Sequence, residues 1–154
     1  MNAALWREAM NDIDVDVRRD ALQQLAHASL DDTSVLDDVV VMLDDDDDLV
    51  VDAGAFALGE HLYVEAVASL CHIASDHEDA RCRESAIASL GAIGDDRSRL
   101  TIINALKDKP PVRRRAVVAL SNFEGPDIEA ALEEAGEDKD WQVRSAVAQL
   151  RDDE

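Results

Sequence analysis

Residues 79–91 read DARCRESAIASLG and residues 109–121 read KPPVRRRAVVALS. Laid one on the other, they share an apolar opener (Cys82, Val112), an arginine (Arg83, Arg113), a small residue (Ala86, Ala116) and a leucine (Leu90, Leu120). The frame recurs as VRRDALQQL at 17–25, VVDAGAFAL at 50–58 and QVRSAVAQL at 142–150, with small residues Ala21, Gly54 and Ala146. Its leucines, Leu25, Leu58, Leu90, Leu120 and Leu150, are 33, 32, 30 and 30 residues apart. A fixed period of this length marks a stacked repeat. Within a block the apolar side chains fall at i, i+4 and i+8, one stripe of an α-helix. The small residue in mid-stripe lets a neighbouring helix come close.

After each of the first four blocks a polar connector leads to a second apolar-periodic run, at 34–43, 64–74, 100–106 and 128–135. Asp31 and Asp32, Gly94 to Asp96, and Gly125 with Pro126 supply turn and helix-start signals in these connectors. No segment alternates with period 2. The predicted fold is all-α, a right-handed superhelix of about 4.5 helical hairpins, because a lone hairpin cannot bury its apolar face and stacking must supply the core. One domain is expected over residues 1–154, with a cap helix at 3–10, repeats at about 14–43, 46–75, 79–107 and 109–136, and a closing helix at 139–151. The first helix of each hairpin is expected on the outer face of the curve and the second on the inner face.

With 35 acidic and 15 basic side chains the chain carries a formal charge of −20. Such a chain is repelled by nucleic-acid phosphates and anionic membranes, so neither is expected as a partner. Aspartate outnumbers glutamate by 24 to 11 and arginine outnumbers lysine by 12 to 3. A saline interior and a basic partner would each favour that surface. Cys71 and Cys82 lack Cys-x-x-Cys spacing and read as free thiols of a reducing compartment. The first residues show no basic, then apolar, leader pattern, and no apolar run approaches the ~20 residues of a membrane span. The expectation is a cytoplasmic monomer.

These blocks resemble HEAT repeats of the short bacterial, phycobilin-lyase-like type. The resemblance rests on the Asp-x-x-Val-Arg-x-x-Ala-x-x-Ala-Leu pattern and extends from about residue 14 to 150. It implies an α-solenoid; the function expected of the chain is that of a non-catalytic scaffold or adaptor that binds a protein partner. The alternative it implies is a HEAT-like enzyme or chromophore-attachment factor. The arginine that follows the opener is present as Arg18, Arg83 and Arg113. Val51 and Val143 replace it in the second and fifth blocks, and Arg144 stands one place on. These four arginines are expected to form a ladder of Arg–Asp pairs between repeats, each of modest energy.

No catalytic or metal-binding residue is assigned, and no cofactor is expected. The iron-dependent deoxyhypusine hydroxylases that share this architecture hold metal with His-Glu pairs at helix starts. Here the two residues before each small residue are Arg19–Asp20, Asp52–Ala53, Glu84–Ser85, Arg114–Arg115 and Arg144–Ser145. None is His-Glu, and the lone His77–Glu78 falls in a connector. The aromatics Trp6, Phe56, Tyr63, Phe123 and Trp141 are dispersed, unlike those of a tetrapyrrole groove. No Gly-x-Ser-x-Gly, phosphate loop or His-Glu-x-x-His occurs.

Binding is expected on the inner face through Asp38, Met42, Glu65, His72, Thr101, Asn104, Glu129 and Glu133. These alternate with the expected core positions Val40, Leu43, Val67, Leu70, Ile103, Leu106, Ile128 and Leu132. The acidity of that face suits a basic peptide, helix or domain. The run Asp44–Asp48 reads as the turn between adjacent repeats, with Asp47 or Asp48 capping the next helix. It lacks the glycine and distal glutamate of a calcium loop.

Overall fold

The computed structural model describes residues 1–153, and every described segment with regular structure is helical. The helices are α1 (Ala3–Met10), α2 (Val15–Leu25), α3 (Val35–Val41), α4 (Asp48–Glu60), α5 (Val67–Asp76), α6 (Ala80–Ile93), α7 (Arg99–Ala105), α8 (Pro110–Leu120), α9 (Pro126–Ala135) and α10 (Trp141–Asp152). Single 3-10 turns at Met42–Asp44, Val64–Ala66 and Asp96–Ser98 lead out of α3 and into α5 and α7.

Aspartates start most of the motif-bearing helices. Asp14, Asp47, Asp79 and Asp140 cap α2, α4, α6 and α10, their carboxylates accepting backbone N–H bonds from the first turn. In α8 the tandem Pro110–Pro111 does this work by presetting φ, and there is no side-chain cap. Counted from its cap, α10 is offset by one residue from the leucine frame. Val143, fully buried, takes the opener's place and Arg144 the arginine's, while Leu150 is only half-buried.

The core runs the length of the stack. Leu22, Leu25, Leu58, Leu70, Leu90, Ile87, Ile102 and Leu120 are all fully buried. In α7 the buried side chain is Ile102, not Ile103, so this helix is rotated by one residue from the expected phase. Val40, Ile103, Leu106 and Leu132, expected in the core, are half-buried at its margin.

The two layers are spaced differently. In the layer α2–α4–α6–α8–α10, neighbours touch along much of their length. The close approach requires residues without bulk: a Cβ at Gly59 would lie 2.9 Å from Ser89 Cα, and one at Gly91 2.8 Å from Ala119 Cα. In the layer α3–α5–α7–α9 contact between neighbours is slight, and a cleft of about 460 Å³ separates α7 from α9. A stack curves toward its more tightly spaced layer. The inner face is therefore formed by the motif-bearing first helices, the reverse of the expected assignment. The sequence pattern locates the small residues, but which layer they draw together depends on packing between repeats.

Candidate interaction surfaces

Three of the four repeat arginines pair with an aspartate of the next repeat, and Arg144 does not. Arg18 forks onto Asp45 (2.9 and 3.1 Å), Arg83 onto Asp108 (both 2.8 Å) and Arg113 onto Asp138 (both 3.0 Å). In each, Nη1 also donates to backbone carbonyls before its own helix, as Arg83 does to His77 and Glu78 (2.8 and 2.9 Å). Each guanidinium thus ties its own turn to the turn of the next repeat. Arg83 holds the Asp108 carboxyl below the usual carboxylate range. Burial pushes Asp138 up, but the Asp140 N–H and Arg113 outweigh it and the carboxyl lies below its ordinary value. Arg144 repeats the backbone half of the motif, donating to the carbonyls of Asp138 and Lys139 (2.7 and 3.0 Å).

One rung is absent, and both of its members are replaced together. Where the other repeats carry arginine, α4 has Val51, fully buried. Where Asp45 and Asp138 stand two residues before a cap, the third repeat has His77. Its Nδ1 accepts the Asp79 N–H (3.1 Å) as those carboxylates accept theirs. A cation and an anion have given way to an aliphatic side chain and an imidazole, so neither buried charge is left unpaired.

His77, Asp48 and Cys82 bring one ligand-type atom each to within 4.8 Å of one another. Their donor atoms are already engaged. With Nδ1 accepting from Asp79, the ring proton sits on Nε2, facing Asp48 Oδ1 at 3.7 Å. The Cys82 thiol donates to the Asp48 carbonyl (3.2 Å), and burial pushes its pKa up to about 12. A protonated thiol and an imidazole with its open nitrogen protonated are poor metal ligands. The other histidines also have structural partners. His27 meets Phe56 edge-on, His61 Nε2 bonds the Leu25 carbonyl (2.7 Å), and His72 pairs with Asp76 (3.0 Å).

The aspartate run divides into separate tasks. Asp45 holds Arg18, Asp47 caps α4, and Asp48 begins it beside His77. Asp44 and Asp46 are exposed and have no hydrogen-bonding partner among the described residues.

The eight residues expected to form one binding face do not come together. Met42 is 7% exposed and belongs to the core, because the 3-10 turn after α3 swings it inward. Asp38 is tied to Arg7 of α1 at 2.7 Å. Glu65 is exposed in a 3-10 turn, and His72 borders a depression beside the aspartate run. Thr101 is half-buried on α7, while Glu129 and Glu133 are exposed on α9. Glu129 borders a separate hollow with Leu132 and Leu150. Asn104 alone lines the α7–α9 cleft. The cleft floor is apolar (Ile103, Leu106, Ala131), exposed Ala130 stands on its wall, and its rim carries Asp127, Glu134, Glu137 and Asp138 with the single cation Lys107. Asp127 is held by Arg99 (3.0 Å) and Asp138 by Arg113, which leaves Glu134, Glu137 and Lys107 as the rim's uncommitted charges, acidic on balance.

A two-layer stack of helical hairpins with an inter-repeat arginine ladder is an α-solenoid of the repeat-protein class. The model of the HEAT-repeat family matches residues 3–91 and 67–150, and the chain belongs to that family. No curated protein matches the sequence. Among solved structures it is similar to the complex of CpcE and CpcF of phycocyanin lyase from Nostoc sp. PCC7120. That likeness has a TM-score of 0.85 and 19% identity, over 98% of this chain and 64% of the other. A designed armadillo repeat protein in complex with the peptide (KR)4 gives 0.70 at 14% identity, over 96% and 79%. Human deoxyhypusine hydroxylase gives 0.55 at 19% identity, over 96% and 72%. The chain thus spans just under two thirds of the lyase chain it resembles. At these identities the likeness is one of fold. No helix among the described residues is long and apolar enough to cross a membrane.

Proposed function

We propose that this chain is a non-catalytic protein-interaction module that takes a basic segment of its partner in the cleft between α7 and α9. The observation that carries the reading is the cleft itself, with an apolar floor and two uncommitted glutamates on its rim. A lysine- or arginine-bearing segment would lay its aliphatic stems on Ile103 and Ala131 and bring its charge to Glu134 and Glu137. The charge of −20 would speed encounter with such a partner. That a designed armadillo protein of similar fold binds a lysine–arginine peptide supports the chemistry.

The test is a titration of a labelled (KR)4 peptide by fluorescence anisotropy. Reversing Glu134 and Glu137 to lysine is expected to weaken binding about tenfold or more, roughly the energy of two exposed ion pairs. Reversing Glu129 and Glu133, on a different face of α9, changes the net charge equally and is expected to have a much smaller effect. Equal losses from the two pairs would reduce the binding to general electrostatics and refute the site.

A further inference from the structure

The inner face carries a patch of opposite character. Between α8 and α10 lies a depression of about 290 Å³ bordered by Arg114, Arg115, Val118, Trp141, Gln142 and Ser145. Its lining holds no carboxylate, although the chain has 35. Trp141 is 65% exposed and Val118 46%, so a large aromatic and a branched aliphatic stand side by side in water.

The two arginines here are also less tied to carboxylates than those in the first two thirds of the chain. Every arginine before residue 107 has a carboxylate within 4 Å. Arg114 has none among the described residues, and its Nη1 donates to the neutral Gln142 amide (3.0 Å). Arg115 reaches Glu84 at 3.4 Å and is 44% exposed. On so acidic a molecule, two adjacent guanidinium groups with spare donors are a local reversal of sign.

We propose that this patch is a second docking site, for an acidic peptide segment with an aliphatic or aromatic anchor. The anchor packs between Trp141 and Val118, and its flanking carboxylates meet the guanidinium forks of Arg114 and Arg115. The Gln142 amide and Ser145 hydroxyl hydrogen-bond the backbone of an extended segment. Trp and Arg are the residue types that dominate binding energy at interfaces, and here both stand in a shallow, solvent-open hollow that a bound segment would desolvate. The site lies on the inner layer and the α7–α9 cleft on the outer one, so the chain would present opposite charge preferences on its two faces.

Selection from a random peptide display library tests this with no partner named in advance. Selection is made on wild type, with counter-selection on the double variant Arg114→Glu, Arg115→Glu. Selected peptides are expected to carry Asp or Glu around one apolar residue. Binding is then read from Trp141 fluorescence in a Trp6→Phe background. That background removes a buried indole N–H without a described acceptor, leaving one emitting residue. A blue shift and at least tenfold weaker binding by the double variant are expected. Trp141→Ala, an exposed change whose binding is read by anisotropy of the labelled peptide because the reporter is gone, is expected to lose the same peptides. Recovery of only basic or neutral peptides, recovery of none, or affinity unchanged in both variants would overturn the proposal. So would a single-stranded RNA oligonucleotide that displaces the selected peptide at equal concentration. Loss of (KR)4 binding at the cleft would leave this outcome untouched, so the two sites fail independently.

Discussion

The two helix layers obey the same 3.6-residue periodicity and differ in what stands where they meet their neighbours. In the inner layer Gly59 and Gly91 sit against Ser89 and Ala119, and the helices close on one another. In the outer layer α7 and α9 stand apart over Ile103, Ala130 and Ala131, and the gap becomes a cleft rimmed with acid. Side-chain volume at a few crossing points thus decides which layer closes up and which opens into a cleft. The outer layer holds Glu134 and Glu137 uncommitted, and the inner layer holds Arg114.

Filling an inner crossing point should break this difference most severely. Gly91→Leu places atoms where Ala119 already stands. A loss of about 3 kcal/mol is expected, which corresponds to a fall of roughly 6–12 °C in Tm for a chain this size. An outer-layer replacement of similar size, Ala130→Leu on the exposed cleft wall, is expected to change stability by less than about 0.5 kcal/mol. Thermal unfolding of the two variants measures the contrast.

The ladder offers the next largest effect. Arg83→Ala leaves the half-buried Asp108 carboxylate without its fork and is expected to cost about 2 kcal/mol by urea unfolding. At the missing rung the sign reverses. Val51→Arg alone is expected to destabilise by about 2 kcal/mol, because it buries a cation facing His77. Adding His77→Asp should recover most of that loss, with a coupling energy of about 1 kcal/mol or more. A coupling near zero would mean that the two replacements are unrelated.

The same pair sets a pH dependence. Arg83 holds the folded Asp108 carboxyl below its unfolded value of about 3.9. Its contribution is therefore complete above that value and is lost as pH falls through the folded pKa. The stability difference between wild type and Asp108→Asn should be constant from about pH 7 to 5 and should shrink below about pH 4. Unfolding curves for the two proteins across that range give the difference directly. The smallest effect is expected in the aspartate run. Asp46→Asn removes an exposed charge with no described partner and should shift stability by no more than about 0.5 kcal/mol, whereas Asp47→Ala, which removes the α4 cap, should cost about 1 kcal/mol.

What could be read from the chain and what could not divide along the same physical line. The leucine period, the arginine ladder and the aspartate caps depend on residues close in sequence or repeated in register, and these were legible. The one-residue offset of α10 was half-legible. Gln142 in the opener's place signalled it, and only the burial of Val143 resolves it. The inner and outer layers were not legible, because curvature depends on which layer packs closer. Met42 was misassigned because a 3-10 turn rotates the end of α3 by a fraction of a turn. The aspartate run at 44–48 was legible as a turn, but the separate tasks of its members were not. Three of the five have structural tasks, and Asp44 and Asp46 remain as surplus charge.

The central claim is that the outer cleft, not the inner face, receives the basic segment. Amide hydrogen exchange of the full chain with and without (KR)4 tests it most directly, since protection maps to helices regardless of how affinity is apportioned among charges. Slowed exchange confined to α7, α9 and the turn at Gly136–Asp138 is the expected result. Protection of α4, α6 and α8 instead, or none at saturating peptide, would contradict it.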